Sequence, residues 1–215
     1  MDPIRSDVRA ELAALAAQLV ADSGLDYQSA KRKAARQVFG DGHISAALLP
    51  DNDEIDQSLL EHLKLFDQDH DQRVERYRRA ALFWMERLAD YNPYLAGAAW
   101  KGIVALHAPL HLQAFTDDAK DLEIQLLNEG IHFDVVEVAH FAGRGDVPAL
   151  TFYWEKDLPI LVSLYRYDDL RGALKRQRGS AGAGRAERGS PAAVRDLLKA
   201  VPDDLTPAAV PAAGS

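Results

Sequence analysis

The chain has 215 residues, 47% of them hydrophobic, and a net charge of −8. That length suffices for one good-sized domain with appendages, and the composition is that of an ordinary globular protein. The acidic balance argues against a surface that binds nucleic acid throughout, while leaving room for a local basic patch. The absence of cysteine excludes a disulfide framework, a thiol nucleophile and a Cys-type zinc site. The N-terminal stretch MDPIRSDVRAELAAL has no apolar signal core, and no run approaches about 18 apolar residues. No membrane span and a cytoplasmic location are therefore expected.

Val8, Leu12, Leu15 and Leu19 recur at helical spacing. They predict an amphipathic helix capped by Ser6 and ended near Gly24. A second helix is predicted over Asp26 to Phe39, ended by Gly40. Its Lys31, Arg32, Lys33 and Arg36 form either a solvated face or a contact for phosphates or an acidic partner. Asp41 to Asp53 reads as loop. Ile55, Leu59, Leu63 and Phe66 mark a third helix, with Asp53 as its expected cap. Asp67, Asp69 and Asp71 alternate as in the start of a calcium loop, but Gln72 and Arg78 stand where that loop needs Gly and Glu. Tyr77, Ala81, Trp84, Leu88 and Tyr91 make the clearest helical stripe, stopped by Asn92-Pro93.

Tyr94 to Asp117 is the stretch around which the chain is organised. Tyr94, Leu95 and Ala96 form a short strand running up to Gly97, and Trp100 to Val104 suggests a turn of helix. His111 to Phe115 alternates as a half-buried strand does. Asp117 to Asp121 opens a helix capped by Thr116 or Asp117, with Gly130 as its stop; Leu122 to Leu127 also alternates, so a strand that turns Glu123 into a cleft is the other reading. Phe133, Val135, Val136 and Val138 mark a strand. Leu150 to Trp154 and Pro159 to Tyr165 read as a hairpin, followed by a short helix at Asp168 or Asp169. Residues 176–190, RQRGSAGAGRAERGS, read as a flexible basic linker. Ser190-Pro191 then starts a short helix bearing Val194, Leu197 and Leu198, and the last residues, TPAAVPAAGS, read as disordered.

The strand ending in Gly97-Ala98, the short helix, and the strand carrying His111-Leu112-Gln113 resemble the signature of the nucleotidyltransferase fold, the polymerase-beta-like superfamily. The resemblance covers roughly residues 77–171. It implies an α+β protein in three parts. Residues 1–72 would be an N-terminal helical segment. Residues 73–175 would form a mixed β-sheet flanked by helices, and 176–215 a basic linker, short helix and tail. In that family the second strand carries two carboxylates separated by one apolar residue. Alternate strand positions share a face, so the pair grips Mg²⁺, which stabilises the attacking and leaving oxygens. Here those positions carry an imidazole and a neutral amide, which match Mg²⁺ poorly. The third carboxylate position falls in Leu158 to Tyr165, which contains no acid; Asp157 lies just before it.

The expectation is thus a domain that has lost metal-dependent transfer. No catalytic residue, metal or cofactor is assigned. The old cleft, lined by Gly97, Ala98, Lys101, His111 and Gln113, would hold a nucleotide, a nucleic-acid end or a protein segment, with Lys101 against a phosphate. Two other readings stand beside it. One is an active transferase using displaced acids among Asp117, Asp118, Glu123 and Asp157. The other is an assembly protein working through its terminal segments. His107 and His111, four apart, are kept from a helical metal pair by Pro109. His111 as a general base is a further possibility. Gly143-Arg144-Gly145-Asp146 is glycine-rich but precedes no phosphate-binding helix, and neither a GxxxxGK[ST] loop nor a Gly-x-Ser-x-Gly elbow occurs.

Overall fold

The computed structural model describes residues 3–40, 45–106, 108–173 and 187–200. Three helices form the N-terminal layer: α1 (Pro3–Ser23), α2 (Tyr27–Phe39) and α3 (Asn52–Phe66). Leu12, Ala16 and Ala17 of α1 meet Ala30 and Ala34 of α2 and Ile55, Leu59 and Leu63 of α3 in one core. The alanines let the helices approach closely, and the leucines supply most of the apolar area, about 1.5–3 kcal/mol for each one fully buried. Ser6 does not cap α1, because the helix already runs from Pro3. Asp51, not Asp53, caps α3. Its carboxylate accepts from the Glu54 amide while Glu54 reaches back to the Asp51 amide, so Asp53 falls inside the first turn. Asp26 caps α2 as predicted, and Gly40 ends it at φ +68°.

The predicted stripe from Tyr77 lies on α4 (His70–Arg87), except that Leu88 is its C-cap and Tyr91 sits in the 3-10 turn that follows. The α+β class is borne out. Six strands form one mixed sheet: β1 (Tyr94–Ala96), β2 (Leu110–Phe115), β3 (Asp134–Ala139), β4 (Asp146–Trp154), β5 (Leu158–Tyr165) and β6 (Arg188–Gly189). Their order is β3-β4-β5-β2-β1-β6, with β2 and β5 parallel and the other neighbours antiparallel. Leu110, Leu112, Ile160, Val162, Leu150 and Phe152 share one face. That face is covered by Tyr77, Ala81 and Trp84 of α4, by its C-cap Leu88, and by α6 (Ala119–Asn128), through Leu122 and Leu126. The sheet face bearing His111 and Gln113 lies on the other side.

The structure settles the 122–127 ambiguity as helix, because Asp118 caps α6 and puts Leu122 and Leu126 on one buried side. Thr116 instead turns the chain, its hydroxyl accepting from the Asp118 amide. The helical turn near Trp100 begins earlier than predicted: α5 spans Gly97–Lys101, and Gly102 at φ +76° stops it before Ile103 and Val104. β4 begins at Asp146, four residues before the predicted hairpin run, because Asp146 to Ala149 pair with β3. A short α7 (Asp169–Ala173) follows β5. The linker reading is corrected at its end, where Arg188 and Gly189 add a strand to the edge of β1. From there α8 (Pro191–Lys199), capped by Ser190, packs back into the sheet's core through Val194. Residues 174–186, which include the first part of the predicted linker, the tail 201–215 and His107 lie outside the described residues.

Candidate ligand-binding site

β1 and β2 are antiparallel neighbours, with Ala96 opposite His111 and Tyr94 opposite Gln113. The strand, glycine, short helix and second strand that the sequence predicts are all present in this order. Gly97 turns the chain from β1 into α5 at φ +65°. A Cβ on Gly97 would lie 3.2 Å from His111 Nδ1, so the glycine's missing side chain makes room for the imidazole. Burial holds the His111 pKa below the ordinary imidazole value, which keeps the ring neutral.

Gln113 is committed as well. Its Oε1 accepts a hydrogen bond of 2.5 Å from Arg188 Nη1, a residue 75 positions further along the chain. The Arg188 guanidinium lies over the Phe141 ring, 4.4 Å from its centroid. Its Nε is enclosed and has no hydrogen-bond partner among the described residues. Burial lowers the Arg188 pKa from its ordinary value, but a guanidinium remains charged at any physiological pH. A protein-borne cation therefore sits against Gln113.

The other predicted site residues part company. Ala98 packs between the helical core and the sheet core. Lys101 Nζ lies 2.5 Å from Asp56 Oδ2 on α3, and the Tyr27 hydroxyl donates to the other oxygen of the same carboxylate. Its charge ties α5 to the N-terminal layer. Gly97, His111 and Gln113 stay together; Lys101 turns toward the helices. The acids of the displaced-carboxylate reading do not converge. Asp118 caps α6, Glu123 pairs with Lys120, and Asp157 grips Arg76 on α4. Among the described residues no group of three or more His, Asp or Glu side chains is arranged to hold a metal.

A hollow of about 350 Å³ opens beyond Phe115, at the carboxyl ends of the parallel strands β2 and β5. Thr116, Asp117, Tyr165, Arg166 and Asp169 line it, with His140 at its wall. His140 Nδ1 accepts from the Ala142 amide at 2.9 Å, so the proton sits on Nε2, 3.4 Å from Asp169 Oδ2. Arg144 holds the other oxygen of Asp169 at 3.0 Å. Both nitrogens of His140 are thus engaged, which fixes the loop after β3 and leaves no free base. Phe141 of this loop packs against Tyr165 and Phe115, joining the hollow to the Arg188 side.

Arg188, Phe141, His140 and Asp169 are the residues that sequence reasoning missed. His140 and Asp169 carried no spacing that joins them. Arg188 stood in a stretch read as linker, where only its pairing with β1 reveals it.

The class these elements define is an α+β domain, in which the β1–Gly97–α5–β2 unit and the parallel partner β5 stand in the order expected from the sequence. No family model matches the chain, and no curated protein matches it. Two solved structures are similar to it. One is a cytoplasmic RNA terminal U-transferase, 15% identical over 53% of this chain and 35% of that one, with a TM-score of 0.32. The other is an antigenic nucleotidyltransferase-like protein from Paracoccidioides brasiliensis, 16% identical over 53% of this chain and 60% of that one, with a TM-score of 0.26. The chain thus spans less than two thirds of either. No helix among the described residues is long and apolar enough to cross a membrane.

Proposed function

We propose that this chain is a nucleotidyltransferase-like binding module that has lost metal-dependent transfer and holds a nucleotide on the open face of its sheet. One observation carries the reading. The two sheet positions that would grip Mg²⁺ bear His111 and Gln113, the first neutral and packed on Gly97, the second bonded to Arg188. Phosphoryl chemistry rests on positioning and on charge stabilisation by metals, and neither side chain supplies a hard anionic ligand. What remains is a half-buried guanidinium, Arg188, over the Phe141 ring, a group suited to binding an anion.

The test is direct. Incubated with labelled nucleoside triphosphates and Mg²⁺ or Mn²⁺, the protein is expected to transfer no label to RNA, DNA or protein. The same nucleotides are expected to raise its melting temperature equally with Mg²⁺ and with EDTA, because binding to the native state alone stabilises it. Clear transfer of label removes the proposal.

A further inference from the structure

We propose that Arg188 is the phosphate-binding residue of this site, a built-in guanidinium that takes over the role of a divalent cation. The inference rests on the nucleotide-binding reading above and names the group that would carry it. Arg188 is half-buried, and the apolar ring of Phe141 lies beneath its guanidinium. Its one hydrogen bond among the described residues goes to a neutral amide, Gln113. Among the described residues no carboxylate forms a direct ion pair with it; the adjoining Glu187, which is exposed, attracts it only from a distance. Other half-buried arginines are paired with carboxylates: Arg9 with Glu54, Arg73 with Asp67 and Arg76 with Asp157.

A charge removed from water without a counter-ion is costly, and an incoming anion relieves that cost. The position narrows the anion. Nη1 lies 2.5 Å from Gln113 Oε1, on the strand position where a carboxylate of the resembled family would hold Mg²⁺ at about 2.1 Å. A positive charge at that point faces the groups that such a metal would face, the phosphates of a nucleotide. A guanidinium presents a planar donor fork suited to phosphate oxygens, and it needs no metal to do so. Two local devices hold it in place. β6 pairs Arg188 with Ala96 of β1, and Gly189 lies so close to the Trp100 ring that any Cβ there would enter the ring.

The experiment uses the full chain and titration calorimetry in EDTA with three probes: ATP, AMP and inorganic phosphate. Wild type is expected to bind at least one, more weakly as salt rises. Arg188→Gln is expected to lose about ten- to a hundredfold in affinity for that probe, and Arg188→Lys, which keeps the charge but not the fork, to fall between. Circular dichroism and melting of each variant establish folding. Should the Gln variant fail to fold, the Lys variant decides, and undiminished affinity there overturns the inference. Equal binding by wild type and Arg188→Gln overturns it while leaving the nucleotide-binding reading in place. A requirement for Mg²⁺, or no binding of any probe, overturns it too. Transfer of label in the preceding assay overturns that reading instead.

Discussion

Lys101 shows how one charge can be misassigned from its position in the chain. It sits one helical turn after Gly97, where a phosphate ligand is plausible, yet its ammonium is held by Asp56 of α3, which also accepts from Tyr27. Lys101→Met is therefore expected to cost about 1–2 kcal/mol of stability by leaving a half-buried carboxylate without its cation, with nucleotide affinity unchanged. Urea unfolding and calorimetry on one preparation separate the two effects. A loss of affinity without a loss of stability would return Lys101 to the ligand site. His70 offers a second test. It is 3% exposed; its Nδ1 lies 3.3 Å from Asp71 Oδ1, and its Nε2 has no hydrogen-bond partner among the described residues. Burial pushes its pKa below 6.5, and the nearby Asp71 and Asp67 do not offset this. A depressed imidazole pKa means that the unfolded chain takes up the proton first as the solution is acidified. Stability is thus complete above about pH 6.5 and falls below it. Replacing His70 with Leu should flatten that acid slope, measured as unfolding free energy at two pH values either side of 6.5.

At the scale of elements, caps and stops explain both what the sequence disclosed and where it misled. The apolar stripes of α1, α3 and α4 were legible because helical spacing alone produces a buried face. The start of α3 was misplaced by two residues because Asp51, Asp53 and Glu54 are all acceptable near a helix N-terminus. Only the reciprocal bonds between Asp51 and Glu54 distinguish them, joined by Arg9 from α1 with Nη2 2.5 Å from Glu54. Asp51→Ala is expected to cost about 1 kcal/mol, read from the urea midpoint. β6 was invisible for a different reason. A two-residue edge strand has no periodicity, and its partner lies more than ninety residues earlier. Gly189→Ala should dislodge it, because the new methyl group enters the Trp100 ring. A lower melting temperature, restored in the Gly189→Ala/Trp100→Leu double variant, is the expected result.

Across the whole molecule, two cores share one short bridge. The helical core and the sheet core meet at Ala98, and Ile103 inserts into the former directly after α5. The candidate site therefore lies beside a segment that touches both. This central stretch was legible in the sequence: Gly97, His111 and Gln113 fall where the pattern placed them, since a strand, a glycine turn and an alternating strand each leave a local trace. The cation that meets Gln113 was not legible, because nothing local to Arg188 reports a partner 75 positions away. The acids proposed as displaced ligands are each engaged elsewhere: Asp118 caps α6, Glu123 pairs with Lys120 on the same helix, Asp117 accepts from the Tyr167 amide and Asp157 holds Arg76.

The edge strand also orders events during synthesis. β1 is complete once residue 96 leaves the ribosome, but its outer backbone edge stays open until residues 188 and 189 arrive. At typical elongation rates of about 5–20 residues per second, that delay lasts several seconds. The three N-terminal helices, complete by residue 66, can settle within it. The nascent sheet meanwhile carries an unpaired margin beside Leu95, the kind of surface that chaperones shield and neighbouring chains can capture.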